Sequence, residues 1–287
     1  MVPFLAGQRI AVSISESPGL GARGLSRQHQ RDAMVEIARH LLASGAHLVY
    51  GGDLRRDGFT SLLFELVARY RQNAAHIDKL GALPTVINLL AWPVHATLTR
   101  EQIQRQQAEL GEAGAVLCLT IDGRIMSADL SATMSPVDKK DIGPEDWHKG
   151  LTAMRRTATE MSHARFLLGG RLRDYSGVMP GIAEEALLTI RANKPVFLAG
   201  GYGGCAHELA VTIGIITGEL RQTSPALEYD FLKPFRAFRG VDLSNRLTGA
   251  ENERLATTVH ADEIALFLLR GLRRQTPDKL HAESENL

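Results

Sequence analysis

Short apolar runs alternate along this chain with longer segments of mixed polarity. In the longer segments apolar residues recur every three or four positions, which is the spacing of one helix face. The short runs predicted as strands are residues 9–15, 47–50, 84–90, 115–121, 164–168 and 195–199. Strands that alternate with helices are typical of βαβ units with right-handed crossovers. The pattern predicts an α/β fold: a Rossmann-like, doubly wound, mainly parallel sheet with helices on both faces.

The predicted helices have clear starts and wide apolar faces. Ser26 is the expected N-cap of a helix that stops at Gly45. A later segment, residues 147–161, has a continuous apolar stripe. The apolar positions on these helices include Met34, Ile37, Leu63, Leu66, Trp147, Leu151, Met154, Ala158 and Met161. Because they offer more apolar surface than one face of a sheet requires, we expect a homodimer or a tetramer.

Composition narrows the class of protein. No repeat or linker divides the chain, so residues 1–275 are predicted to form one domain and 276–287 a polar tail. The net charge of +1 gives no global field for nucleic acid or an anionic membrane, and neither is expected as a partner. Two cysteines without a CxxC pair, and histidines without paired spacing, predict no metal and no cofactor. Without a signal sequence or an apolar stretch of ~20 residues, the expected location is cytoplasmic.

Glycine pairs directly follow three of the predicted strands. In a doubly wound sheet, ligands bind beyond the carboxyl ends of the strands. Glycine permits positive φ and lets backbone amides approach a phosphate or a ribose, so the repeated pairs favour one shared site over separate tight turns. The residues assigned to this site from the strand ends are Ser13, Ser15, Glu16, Gly51, Gly52, Asp53, Gly169, Gly170, Gly201, Tyr202 and Gly203.

Two charged pairs are candidates for the chemistry of this site. Pro180 precedes a helix whose first turn contains Glu184 and Glu185. A carboxylate there can cap the helix, bind a ribose diol, or stabilise the cationic sugar that forms when an N-glycosidic bond breaks. Arg155 and Arg156 either lie on a solvated helix face or reach the crevice to bind a phosphate. Spacing alone leaves these alternatives open.

Several segments together resemble one known family. The segments LVYGGD (48–53), MRRTATEM (154–161), GIAEEA (181–186) and KPVFLAGGYGG (194–204) are similar in order and type to the SLOG superfamily of LOG-like, lysine-decarboxylase-like Rossmann domains. The resemblance covers residues 9–215. The family's PGG-x-GT-x-x-E motif is split here by an insertion at 171–180, and Ile182 stands at its threonine position. In this respect the chain is most similar to the nucleotide-sensing SLOG domains of antiphage systems.

The resemblance implies roles for individual residues. Arg156 matches the family's catalytic arginine, with Arg155 as the alternative, and Glu185 matches its motif glutamate, with Glu184 as the alternative. We therefore expect Arg156 and Glu185 to face one pocket. The segment that splits the motif supplies further ligand-binding candidates, namely Arg171, Arg173, Tyr175, Met179, Pro180 and Gly181.

The resemblance also implies a function. The expected function is binding of a nucleotide-derived ligand, either an ADP-ribose-like molecule or a cyclic nucleotide-type signal, with a separate effector protein as a partner. The alternatives are an N-glycosidase that releases a base from a nucleotide, and a scaffold subunit whose glycines are only turns. Loss of the threonine hydroxyl at Ile182 favours sensing over turnover.

Overall fold

Six parallel strands form one central sheet. The computed structural model describes residues 3–52, 58–74, 86–110, 114–126, 136–216 and 229–275. The strands are β1 (Arg9–Ser15), β2 (His47–Gly51), β3 (Val86–Leu90), β4 (Gly114–Cys118), β5 (Ala164–Gly169) and β6 (Val196–Ala199). Their order is β4-β3-β2-β1-β5-β6, and every neighbouring pair is parallel. The predicted Rossmann-like fold is confirmed; Asp53 and the 276–287 tail lie outside the described residues.

Helices cover both faces of the sheet. They are α1 (Arg27–Ala43), α2 (Phe59–Ala74), α3 (Trp92–His95), α4 (Arg100–Leu110), α5 (Pro144–Met161), α6 (Gly181–Arg191), α7 (Gly204–Thr212), α8 (Gly249–Thr257) and α9 (Ala261–Gln275). Ile10 and Val12 of β1 belong to the core under α1, α2, α8 and α9, whereas Ala11 packs towards α5. The alternation of β1 side chains thus separates two cores. No described helix is both long and apolar enough to cross a membrane.

The apolar helix faces that suggested a dimer are used within one chain. Met34, Ile37 and Leu63 are each 1% exposed and lie in the core against the sheet. Met154 and Ala158 of α5 pack on the opposite face. The premise of surplus apolar surface was therefore wrong for these positions, because other elements of the same chain bury them. A homodimer or tetramer stays a prediction, and light scattering that gives 31.3 kDa at every dilution would contradict it.

The strand order reverses between β1 and β5, and this reversal positions the site. The chain leaves β1 for α1 on one face and leaves β5 for α6 on the other. Two loops that diverge to opposite faces open a crevice at the carboxyl edge of the sheet, where ligands of doubly wound folds bind.

Glu251 joins α8 to α9 through a set of charged contacts. It accepts a hydrogen bond from the Thr248 amide at 2.8 Å, from Arg270 at 2.9 Å and from Arg274 at 2.7 Å. Arg274, the Thr248 amide and Arg270 lower the pKa of Glu251 to about 2. A lowered pKa means that the carboxylate stabilises the fold above its ordinary pKa of 4.5 and loses this effect as the pH falls towards about 2.

We therefore expect Glu251→Gln to be less stable than the original chain at neutral pH. Chemical denaturation should show this difference shrinking as the pH falls through 4.5 towards about 2, where the carboxyl of the original chain is also protonated. A stability difference that stays constant over that range would contradict the assignment.

Candidate functional site

The ends of β1 and β5 meet directly at the reversal point. The Gly170 amide donates to the Ser15 carbonyl at 3.0 Å, and the Gln30 side-chain amide donates to the same carbonyl at 2.7 Å. Gly169 and Gly170 have φ of +73° and +105°, which side chains rarely adopt. A Cβ on Gly170 would also lie 2.6 Å from Cγ1 of Ile182. The glycine pair is therefore required by the turn itself, and it brings α6 close to the strand ends.

The start of α7 lies at the same place. The Cys205 amide donates to the Gly170 carbonyl at 2.9 Å. Gly203 and Gly204 have φ of +74° and +65°. A Cβ on Gly204 would lie 2.4 Å from the Gly170 carbonyl oxygen and 3.0 Å from Ser17 Oγ. The chain segments that follow β1, β5 and β6 thus meet in one crevice, and the structure brings Ser15, Gly170 and Gly203 into it.

Two buried polar atoms at this crevice have no hydrogen-bond partner among the residues that the structure describes. They are Ser17 Oγ and Gln30 Oε1. An unpartnered buried polar group is costly and rare in proteins, and a bound ligand group is one way in which such an atom is satisfied. The sequence analysis assigned Ser13, Ser15 and Glu16 but neither of these two. Gln30 belongs to α1, and it reaches the end of β1 only because α1 packs on the sheet. The sequence alone therefore gave no sign of this contact.

One arginine–glutamate pair joins α5 to α6. Arg155 donates from Nη1 to Glu184 Oε2, and Thr152 Oγ1 donates to Oε1 of the same carboxylate. Arg155 is 8% exposed, whereas Arg156 lies exposed on the outer side of α5. Successive helical residues point about 100° apart, so one of two neighbouring arginines faces α6 and the other faces away. The structure brings together the two residues that the resemblance gave as alternatives, Arg155 and Glu184.

A second arginine–glutamate pair, Arg165 of β5 and Glu185 of α6, lies deeper in the core. Arg165 of β5 is 1% exposed, and its Nη1 is 3.5 Å from Glu185 Oε2. Its guanidinium also donates to Ser13 Oγ at 2.8 Å, Thr189 Oγ1 at 2.8 Å and Thr159 Oγ1 at 3.0 Å. Burial lowers the pKa of Arg165, and the nearby Glu185 opposes that shift. Ser13, assigned to the ligand from sequence, instead serves this internal network in the described contacts.

The insertion rests on the Arg155 guanidinium. A Cβ on Gly177 would lie 2.6 Å from Arg155 Nη1, and one on Gly181 would lie 3.0 Å from Nη2. Gly177 and Pro180 are buried, whereas Arg171, Arg173 and Tyr175 are exposed. Met179 is half-buried and packs against the core under α6. The insertion thus packs against Arg155 through its buried residues, and its exposed part contains the cations Arg171 and Arg173.

The β2 end lies on the same edge of the sheet, two strands from β5. A Cβ on Gly51 would lie 2.8 Å from Met154 Cε, and one on Gly52 would lie 2.2 Å from the Tyr50 ring. Both glycines are half-buried. Glu16 of the β1 loop forms an exposed ion pair with Arg27 at 2.7 Å.

Gly201 and Tyr202 contact the loop between α8 and α9. A Cβ on Gly201 would lie 2.0 Å from the Thr258 carbonyl oxygen. The Tyr202 hydroxyl donates to the Val259 carbonyl at 2.8 Å, and the side chain is buried. Their described contacts are therefore packing contacts, which explain these residues without a ligand.

Gly201→Ala should lower the free energy of unfolding by about 1–3 kcal/mol, because the new methyl group overlaps a backbone carbonyl. The matched control is Gly249→Ala, where a Cβ meets nothing within 4 Å. That control should be neutral or slightly stabilising, since alanine favours a helix over glycine. Denaturant unfolding of both variants tests this. Equal stabilities of the two variants would contradict the packing role.

Cys205 and His207 do not form a reactive pair. Cys205 is fully buried, and burial raises the pKa of its thiol far above the ordinary value, so it stays protonated at neutral pH. His207 has its pKa lowered to about 4, mainly by burial and then by the nearby Arg23, against a hydrogen bond to the Gly200 carbonyl. Near neutral pH the Cys205 side chain is therefore a thiol, not a thiolate, and the His207 side chain is a neutral imidazole.

Comparisons with known proteins place this fold in a family. Within the described part of the chain, no group of three or more His, Cys, Asp or Glu residues is arranged to hold a metal ion. No curated protein matches the sequence. The family model for SLOG cluster2 matches residues 4–280, and since this covers nearly the whole chain, the protein belongs to the SLOG cluster2 family.

Proposed function

We propose that this domain binds a nucleotide-derived ligand, ADP-ribose-like or of the cyclic nucleotide type, in the crevice between the loops after β1 and β5. The supporting observation is the pair of buried, unpartnered atoms Ser17 Oγ and Gln30 Oε1 at the reversal point of the sheet. Ligands of doubly wound folds bind at this point, where a ribose hydroxyl can donate to Gln30 Oε1 and a ribose or phosphate oxygen can accept from the Ser17 hydroxyl. Membership of the SLOG cluster2 family agrees with a nucleotide-related ligand.

We further propose that the ligand is bound without cleavage. A carboxylate that stabilises an oxocarbenium ion must reach the sugar in the transition state. Glu184 and Glu185 are both buried, and each lies beside a buried arginine, Arg155 and Arg165. Their charge is already directed at the chain's own guanidinium groups. This arrangement favours a sensor, which would act through a separate effector protein, over an N-glycosidase.

The proposal is tested by incubating the purified protein with AMP, ADP-ribose, cyclic ADP-ribose and NAD. Native mass spectrometry would report what is bound, and chromatography would report any base that is released. We expect an intact nucleotide in the complex and no free base above the protein-free blank. Binding of no compound in the panel would overturn the ligand assignment, and steady release of a base would overturn binding without cleavage.

The insertion offers a matched pair of variants. Arg171→Gln or Arg173→Gln removes an exposed cation close to the crevice, and we expect roughly tenfold weaker binding where that cation contacts a phosphate. Arg191→Gln removes an exposed cation at the other end of α6 and should leave affinity unchanged. Calorimetric titration with the best nucleotide of the panel measures the difference. Equal affinities of all three variants would exclude the insertion from the binding site.

A further inference from the structure

Positive charge accumulates at the amino end of α7. Arg23 lies in the short 3-10 turn Gly21–Arg23 of the loop after β1, and its Nε would lie 2.8 Å from a Cβ placed on Gly203. Gly203 is the residue before α7, whose unsatisfied amides make this end of the helix positive. None of the ion pairs formed by the described residues includes Arg23. A guanidinium and a positive helix end therefore lie together, and no described carboxylate forms an ion pair with that guanidinium.

The neighbouring His207 does not change this arrangement. His207 lies in the first turn of α7 and is neutral near neutral pH, because burial and Arg23 lower its pKa to about 4. Its ring is already hydrogen-bonded to the Gly200 carbonyl. Two positive groups held close together repel each other unless an anion lies between them. The electrostatics of this end of α7 are thus those of an anion site.

Ser17 supplies an independent observation at the same place. It is 9% exposed, and its Oγ has no hydrogen-bond partner within the described part of the chain. The Oγ lies 3.0 Å from where a Cβ on Gly204, the first residue of α7, would be. By contrast, the Ser13 hydroxyl in β1 accepts a hydrogen bond from Arg165. The Ser17 hydroxyl therefore lies beside the start of α7 and has no hydrogen-bond partner among the described residues.

The start of α6 differs from that of α7. There the space beside Gly177 and Gly181 is filled by the Arg155 guanidinium, which Glu184 neutralises. A helix end that already holds the chain's own ion pair has less attraction for an external anion. Of these two helix starts, the one at α7 has a cation that forms no ion pair with any described residue.

We propose that the amino end of α7, with Arg23 and Ser17, binds a phosphate or pyrophosphate group of the ligand. This proposal rests on the proposed function, and it assigns the anionic part of the nucleotide to a particular place in the crevice. The Cys205 amide already donates to the Gly170 carbonyl, so the Gly204 amide and the Ser17 hydroxyl donate the hydrogen bonds to the phosphate oxygens, and Arg23 adds a charge-assisted contact.

Inorganic pyrophosphate and inorganic phosphate are the probes, with chloride as reference at constant ionic strength. Calorimetric titration should show pyrophosphate binding to the original chain and roughly tenfold or weaker binding to Arg23→Gln. Arg27→Gln is the matched control. Arg27 lies four residues after Arg23, is exposed and forms an ion pair with Glu16, so the substitution removes the same charge outside the proposed anion site. That control should bind like the original chain.

Ser17→Ala separates a ligand contact from a structural role. Because Ser17 Oγ has no partner, the variant should be as stable as the original chain in chloride, or more stable, while its affinity for pyrophosphate falls several-fold. Absence of pyrophosphate binding to the original chain would overturn the proposal, as would unchanged affinity in both Arg23→Gln and Ser17→Ala. So would a loss of stability of Ser17→Ala in chloride.

The two proposals fail in different ways. If pyrophosphate binding depends on Arg23 but no nucleotide of the panel binds, the proposed function fails and the anion site stands. If nucleotides bind equally to the original chain and to Arg23→Gln, the nucleotide crevice stands and the anion site at α7 fails.

Discussion

Arg165→Met is expected to lower the free energy of unfolding by about 3–5 kcal/mol, the range for breaking a buried ion pair from one side. The substitution leaves Glu185 buried and without its cation at 3.5 Å. It also removes the donors to the hydroxyls of Ser13, Thr159 and Thr189, which come from β1, α5 and α6. Urea unfolding at neutral pH measures the loss. A variant within about 1 kcal/mol of the original chain would contradict the role of this network.

The double variant Arg165→Met with Glu185→Gln is the control for this prediction. Neutralising the carboxylate removes the uncompensated buried charge, so the double variant should regain part of the lost stability. A double variant less stable than Arg165→Met would indicate that Glu185 is stabilised by other groups. The comparison therefore measures the interaction between the two residues and separates it from the packing of the arginine side chain.

The sequence was sufficient to predict the fold because its signals are local. An apolar run such as residues 195–199 predicts a strand from its own composition, and Ser26 caps α1 through its neighbour His29, three residues along. The glycine pairs follow parallel strands, so the sequence also predicted that they lie at one edge of the sheet. A positive φ at Gly169 and Gly170 is a property of the turn in which they lie.

The contacts of the site were less predictable because they join distant parts of the chain. The Tyr202 hydroxyl donates to Val259, a partner 57 residues away that no spacing rule indicates. Arg165 occurs within an apolar strand run, so its charge gave no sign of a buried network with Ser13, 152 residues away. Arg23 and Ser17 lie in a loop of ordinary turn composition. Their proposed role in anion binding depends on α7, which packs against that loop.

The last prediction uses two adjacent arginines whose environments differ. Arg155→Gln should lower the free energy of unfolding by about 3 kcal/mol, because it leaves Glu184 buried without its cation. Arg156→Gln, on the exposed side of α5, should stay within about 0.5 kcal/mol of the original chain. Denaturant unfolding of the two variants gives this comparison directly, since both substitutions remove one positive charge from the same helix turn.

The same pair of variants tests whether Arg155 holds the insertion, residues 171–180, in place. Gly177 and Gly181 pack against the Arg155 guanidinium, so amide hydrogen exchange over residues 171–180 should become faster in Arg155→Gln and stay unchanged in Arg156→Gln. Nucleotide binding should weaken in Arg155→Gln as well, because Arg171 and Arg173 are no longer held in place. The opposite pattern, in which Arg156→Gln weakens binding and Arg155→Gln does not, would assign the ligand contact to Arg156 and contradict the role of Arg155 as the support of the insertion.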